Sequence, residues 1–309
     1  MLYAAIPERR RERFARQLVL PELGPEGQSA LADGAVLVVG AGGLGSPAIA
    51  YLAGSGIGRL TVVDPGVVRR ADLHRQILYR DADVGRSKAV LAADRAGEVD
   101  PELRAEGVQQ AFEPSNGRAL VRAHDVIVDA SDNPATRYLV SDACVLEGKP
   151  LVFGAVSRLE GQVARLAGGD APCYRCLYPE PPSPRSIPSC AEVGVLGPAA
   201  GVIGAWMALE AIRTVAGLGG AAPHGLLHVD LAAWAQQRVV LARRPGCAIC
   251  GDAPAITDLR LEVDACAAGE PYPGTTPAGG PVDDDRGDDR GDDRGDDARR
   301  DDHGNLLES

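Results

Sequence analysis

Aromatic side chains are scarce in this chain: three Phe, two Trp and seven Tyr among 309 residues, 4% of the total. No basic stripe runs along it, which argues against a nucleic-acid surface. The first residues, Met1 to Arg13, hold Arg9, Arg10 and Arg11 but lack the apolar stretch of a secretory signal. A charge-free stretch from Val193 to Leu209 sits at the short end of what spans a bilayer. Gly194, Gly197, Pro198, Gly201 and Gly204 interrupt it, so a buried core helix is expected there and no membrane partner. What remains, 45% hydrophobic and 24% charged, is the balance of a soluble globular protein. Without an export signal a cytoplasmic location is expected, with reduced cysteines that serve metal binding or catalysis.

The net charge of −11 is unevenly spread. Between Asp283 and Asp302 eleven Asp face five Arg, so that stretch carries −6 and the rest is only mildly acidic. D-D-R-G repeats from Asp284 to Asp297, with nothing apolar to bury, and disorder is expected there.

Upstream, short apolar runs alternate with amphipathic stretches. Residues 8–31 read as helical, with Phe14, Leu18 and Leu23 on one side. Strands are expected over 35–39, 59–64, weakly over 103–108, over 125–129 and over 151–154, with helices over 43–55, 86–97, 115–123 and 134–147 between them. That alternation predicts an α/β fold: a doubly wound, mostly parallel, Rossmann-like sheet with ligands at the carboxyl ends of its strands. The second half differs, with strands over 161–166, 225–231 and 237–242, a long helix over 195–215 and a proline-rich loop from Pro179 to Pro188.

Directly after the first apolar run comes Gly40-Ala41-Gly42-Gly43-Leu44-Gly45. Glycines at a strand–helix junction let the backbone approach a phosphate, and the helix N-terminus adds free N–H groups. Gly40, Gly42 and Gly45 complete a G-x-G-x-x-G pattern, which on its own also marks dehydrogenases. Asp64 closes the next strand, where a carboxylate accepts from ribose hydroxyls. Arg75, in D-L-H-R-Q, and Lys88, in G-R-S-K, add the cations that a triphosphate with a leaving pyrophosphate needs. Asp132-Asn133 follows the strand ending at Asp129 and places a carboxylate where Mg²⁺ would bind.

Four of the seven cysteines form two C-x-x-C pairs, Cys173/Cys176 and Cys247/Cys250. Four thiolates at this spacing suit structural Zn²⁺, and with every position taken by sulfur the metal has no open site for catalysis. The expected clip ties the crossover to the C-terminal strands, which are read as antiparallel. Cys144 is expected in the core. Cys266 and the histidines receive no role, although His74 lies inside D-L-H-R-Q.

Together, R-F-A-R-Q-L-V-L, G-A-G-G-L-G-S, D-L-H-R-Q, G-R-S-K-A, D-A-S-D-N, P-C-Y-R-C-L and P-G-C-A-I-C-G resemble, in order from about Arg11 to Gly251, the MoeB/ThiF adenylyltransferases, prokaryotic relatives of ubiquitin-activating enzymes. The resemblance implies an adenylating domain over residues 1–251; the low-complexity acidic tail over 252–309, where disorder is expected, has its D-D-R-G repeats without a counterpart in the family. It implies Mg·ATP-dependent adenylation of the C-terminal glycine of a small ubiquitin-like sulfur carrier ending in Gly-Gly. Sulfur from a rhodanese or a cysteine desulfurase then gives the thiocarboxylate, in molybdopterin, thiamine or related biosynthesis.

By position, the resemblance gives Gly43 to the nucleotide, Asp64 to ribose, Arg75 and Lys88 to phosphates, and Asp132, with Asn133 beside it, to the metal. It makes Arg16 a finger reaching the partner subunit's ATP in a homodimer, and aligns Cys190 with a cysteine that links covalently to the carrier in some relatives. Two positions depart: Asp72 stands where the family usually has Asn, and Ala15 where it often has Asn. A carboxylate beside a triphosphate is repulsive unless Mg²⁺ or Arg75 compensates. A catalytically weakened nucleotide-binding relative is the alternative this leaves, and a nicotinamide-dependent oxidoreductase, resting on the glycine turn and Asp64 alone, is a more distant one.

Overall fold

The computed structural model describes residues 2–167, 171–182, 193–218 and 225–261. Cys190, Cys266, the D-D-R-G segment and most of the proline-rich segment lie outside these. The elements begin with four helices, α1 (Leu2–Ala5), α2 (Glu8–Arg13), α3 (Ala15–Leu18) and α4 (Gly24–Asp33). The expected single helix over 8–31 is thus broken. Pro21 disfavours helical backbone at Leu20, and Gly24 turns the chain at φ +57°.

Alternation then sets in as the periodicity predicts: β1 (Ala35–Val39), α5 (Gly45–Ser55), β2 (Arg59–Val63), α6 (Lys88–Val99), β3 (Arg104–Val108), α7 (Gly117–Arg122), β4 (Val126–Asp129), α8 (Pro134–Leu146), β5 (Leu151–Ser157) and β6 (Glu160–Leu166). A short α9 (Tyr174–Leu177), the long α10 (Gly197–Val215), β7 (Gly225–Asp230) and β8 (Ala235–Val240) follow. Local caps fix several starts: the Ser87 hydroxyl accepts from the Val90 N–H at α6, and the Asn133 side chain from the Thr136 N–H at α8.

The strands form one eight-stranded sheet in the order β3-β2-β1-β4-β5-β6-β7-β8. The first five in that order are parallel; β6, β7 and β8 join antiparallel. The expectation of a mostly parallel Rossmann-like sheet with C-terminal antiparallel strands is met. The last strand occupies 235–240 instead of 237–242, because the Asp230 carboxylate accepts from the Ala232 and Ala233 N–H groups and closes the turn early.

All five residues of β1 are buried, as a central parallel strand requires. Val36 and Val38 pack into one apolar cluster with Leu52 of α5 and Ile203 and Met207 of α10. Leu37 and Val39 face another with Leu139 and Val140 of α8. Truncating Leu37 to alanine would cost about 2–5 kcal/mol. The charge-free stretch of the sequence does enter this core through α10, and among the described residues no helix is long and apolar enough to cross a membrane. Cys144 is fully buried in the α8 cluster.

Strand order reverses between β1 and β4, which are neighbours in space but not in sequence. The glycine turn, Asp64 and the segment 129–133 follow the carboxyl ends of β1, β2 and β4, where doubly wound sheets place their ligands.

Candidate functional site

The glycine turn divides into two kinds of position. Gly40 has φ +96°, and a Cβ there would stand 2.7 Å from the Ala130 carbonyl oxygen. A Cβ on Gly45 would come within 2.0 Å of the Gly40 oxygen. The fold itself demands these two. At Gly42 and Gly43 a Cβ would meet only ordinary contacts, Gln76 Nε2 at 3.7 Å and Ala200 Cβ at 3.5 Å. Packing does not explain the missing side chains there. Beside this cradle Ser46 Oγ and Gln76 Oε1 are buried without a hydrogen-bond partner among the described residues.

Two side chains grip the turn. The Asp64 carboxylate accepts from the Ala41 N–H at 2.8 Å and the Gly66 N–H at 2.7 Å. Tyr79 donates to the Ala41 carbonyl at 2.8 Å, and its hydroxyl lies 3.1 Å from the Lys88 carbonyl. Burial, with Asp64 and Asp72 nearby, raises the Tyr79 pKa far above its usual range, so the phenol stays a donor. Tyr79 escaped the sequence reading because an isolated tyrosine in a loop carries no spacing signal.

Asp72, Arg75 and Lys88 form one ion cluster. Arg75 Nη2 donates to Asp72 Oδ1 at 2.8 Å, and Lys88 Nζ lies 3.1 Å from Asp72 Oδ2. The Arg75 side chain also passes 3.6 Å from the Cβ position of Gly43, which ties the cluster to the cradle. Helix α10 closes the other side: a Cβ on Gly197 would strike the His74 carbonyl at 2.3 Å, and one on Gly204 the Leu44 carbonyl at 2.4 Å.

After β4, the buried Asp129 carboxylate accepts from the Ser131 N–H and hydroxyl at 3.0 and 2.6 Å. Burial pushes its pKa up. Asn133 is occupied as the cap of α8, and Arg137 donates to the Ser131 carbonyl at 3.1 Å. This tight turn leaves Asp132 exposed at the mouth of the sheet.

Arg16 lies elsewhere. It is exposed on α3, whose neighbour Gln17 donates to Gln28 and to the Ser55 carbonyl at the C-terminal end of α5. The glycine turn is at the other end of that eleven-residue helix, a span of about 16 Å. Arg16 is therefore not gathered with the other candidate residues of its own chain.

At the far side of the sheet Cys173, Cys176, Cys247 and Cys250 bring their sulfurs within 4.8 Å of one another. The closest pairs are 3.4–3.9 Å apart, far beyond the ~2.05 Å of a disulfide. A tetrahedral S₄ cage with ~2.3 Å metal–sulfur bonds has edges of about 3.8 Å. Burial pushes the Cys173 thiol well up and that of Cys250 up to about 12. Burial also opposes ionisation of Cys247, but N–H groups of Cys250 and Ile249 and the neighbouring thiols bring it down to about 7. So crowded a thiol set needs a cation to ionise fully. The Arg244 N–H points at Cys176 Sγ, 3.4 Å away, and a buried Arg175–Asp142 ion pair anchors α9 to α8. Beyond the second pair, Ile256 and Leu259 are buried, the former against the cysteines.

The sequence model of the ThiF family matches residues 14–249. The chain belongs to the ThiF family. Sulfur carrier protein adenylyltransferase of Thermus thermophilus is 45% identical to this family member over 253 residues, 80% of this chain and 93% of that one. SAMP-activating enzyme E1 of Haloferax volcanii is 44% identical over 83% of this chain and 95% of its own. Adenylyltransferase and sulfurtransferase MOCS3 of Bos taurus is 46% identical over 86% of this chain, which spans only 58% of MOCS3. Among solved structures, E. coli MccB with succinimide superposes on this ThiF-family chain at a TM-score of 0.69 and 18% identity, covering 81% of it and 76% of MccB. That likeness is one of fold.

Proposed function

We propose that this chain adenylates the C-terminal glycine carboxylate of a small ubiquitin-like sulfur carrier ending in Gly-Gly, consuming ATP and releasing pyrophosphate. A carboxylate is a poor electrophile until one of its oxygens belongs to a good leaving group. Both reactants are anionic, so the site's task is to position them and offset their charge. The observation that carries the reading is the Arg75/Lys88 cation pair beside two glycines that packing leaves open. A hydride-transferring site, resting on the glycine turn and Asp64 alone, leaves those cations unexplained.

In this reading the backbone at Gly42 and Gly43 cradles the phosphates and Asp64, already holding the turn, faces the ribose. Arg75 and Lys88 draw charge toward the departing pyrophosphate, and Asp132 holds Mg²⁺, which offsets phosphate charge. Arg16, remote from its own cradle, serves the partner's site in a homodimer. The cysteine cage holds Zn²⁺ and fastens the segment after β6 to the one after β8. A rhodanese or cysteine desulfurase in the cytoplasm supplies sulfur to the adenylate, and Cys190 is the candidate for a covalent link to the carrier.

The test is to incubate the chain with Mg·ATP and carriers ending in Gly-Gly. Mass spectrometry should find a carrier–AMP adduct that hydroxylamine removes. No adduct with any such carrier would refute the assignment. Mixing Arg16→Ala with Lys88→Ala protein checks the dimer: activity returns if each subunit completes the other's site.

A further inference from the structure

The cations at the cradle come with an anion of their own. Asp72 is only 6% exposed, and its two oxygens are divided between the Arg75 guanidinium at 2.8 Å and the Lys88 ammonium at 3.1 Å. Its position is fixed from several sides. It ends the 3₁₀ turn Arg70–Asp72 and accepts from the Arg69 N–H at 3.2 Å, while its carbonyl accepts from the Arg75 and Gln76 N–H groups, both at 3.0 Å. Lys88 is equally constrained, at the first position of α6 with its N–H on the Gly66 carbonyl. A carboxylate held this way cannot withdraw when a ligand arrives. A phosphate bound by either cation lies next to a like charge, and the cluster of two cations and one carboxylate offers a net charge of only +1.

We propose that Asp72 makes this site selective for the metal complex of its nucleotide and weakens its hold on uncomplexed polyphosphates. The proposal rests on the nucleotide reading above. Its cause is elementary: a Coulomb term scales with ligand charge, about −4 for free ATP and about −2 for its magnesium complex. Removal of the carboxylate therefore strengthens binding of the free polyphosphate about twice as much, in logarithmic units, as binding of the complex. Free pyrophosphate belongs with the disfavoured ligands, so a product stripped of metal does not linger.

Calorimetric titration of the full chain with pyrophosphate in EDTA, ATP in EDTA and ATP with excess Mg²⁺ tests this, comparing the parent with Asp72→Asn. The asparagine variant should tighten both metal-free ligands about tenfold more than it tightens Mg·ATP. Equal tightening of all three, or no tightening of the metal-free ligands, overturns the proposal; the nucleotide reading survives as long as the parent binds Mg·ATP. If the parent binds none of the three, that reading falls and this one with it. Should Asp72→Asn fail to fold, Asp72→Ser removes the same charge, keeps an acceptor near the Arg69 N–H and is judged by the same criteria.

Discussion

Asp72 and Glu147 are both carboxylates that hold two cationic side chains, and the contrast lies in their addresses. Glu147 follows α8 and binds Arg118 and Arg122 of α7 at 2.6 and 2.8 Å, fastening one helix to another. Hydrogen bonds from Arg122 and Arg118 pull its carboxyl down to about 2. Asp72 binds Arg75 and Lys88 at similar distances, but beside a glycine cradle at the carboxyl end of the sheet. Geometry within the ion cluster does not separate a brace from a reactive centre. Position is what favours the second role for Asp72, because doubly wound sheets bind ligands at the carboxyl ends of their strands.

The sharpest way to break this comparison is to remove cations from each cluster. Lys88→Ala or Arg75→Ala should lower pyrophosphate exchange by about 10²–10³-fold, a loss far larger than the fall in folded protein that unpairing the buried Asp72 brings. Arg122→Ala should do the reverse, lowering the melting temperature with kcat unchanged. If the two sets exchanged phenotypes, the distinction by address would be lost.

The two kinds of glycine offer a second cut. Gly43→Val adds a side chain where packing allows one and should weaken Mg·ATP at least ~10-fold, a loss of about 1.4 kcal/mol or more, with an unaltered circular dichroism spectrum. Gly45→Ala, driven against the Gly40 carbonyl, should fail to accumulate as folded protein. Equal behaviour of the two variants in both assays would show that the cradle is only a packing device.

At the cysteine cage, Cys247→Ser should reduce zinc from one equivalent to none by elemental analysis. A metal held at ~100-fold over its dissociation constant contributes about 2.7 kcal/mol, so melting should fall by about 5–10 °C. Nucleotide affinity should hardly change. A smaller effect belongs to Glu147. Its folded pKa lies below the usual carboxylate value of about 4.3, so its stabilisation is complete above that value and fades as pH falls toward 2. Glu147→Gln should lower the melting temperature by a few degrees at pH 7 and flatten its decline on acidification, as scanning calorimetry would record.

Much of this architecture is legible in the sequence, and the reason differs by region. Val36, Val38, Leu60, Val126 and Val128 belong to apolar runs that only buried parallel strands accommodate, so β1, β2 and β4 announce themselves. The cysteine pairs are legible because metal geometry constrains their spacing. The breaks among the N-terminal helices are hidden in the sequence because the periodicity of Phe14, Leu18 and Leu23 survives the interruptions at Pro21 and Gly24. The turn before β8 depends on one side chain, Asp230, and so moved the strand by two residues.

At the site, Asp72, Arg75 and Lys88 were each recognisable as charges near strand ends. Their union in one buried cluster was not, because it joins a 3₁₀ turn to the start of a distant helix. Tyr79 and the seating of α10 on the glycine turn are likewise contacts between remote segments that no local pattern encodes.

The measurement that bears most directly on the proposed chemistry is ATP–pyrophosphate exchange with a matched carrier, intact or lacking its last glycine. Exchange that needs magnesium, appears with the intact carrier and vanishes with the truncated one is the predicted result. A chain that binds Mg·ATP yet exchanges nothing with any carrier ending in Gly-Gly, or exchanges equally without the terminal glycine, would contradict it.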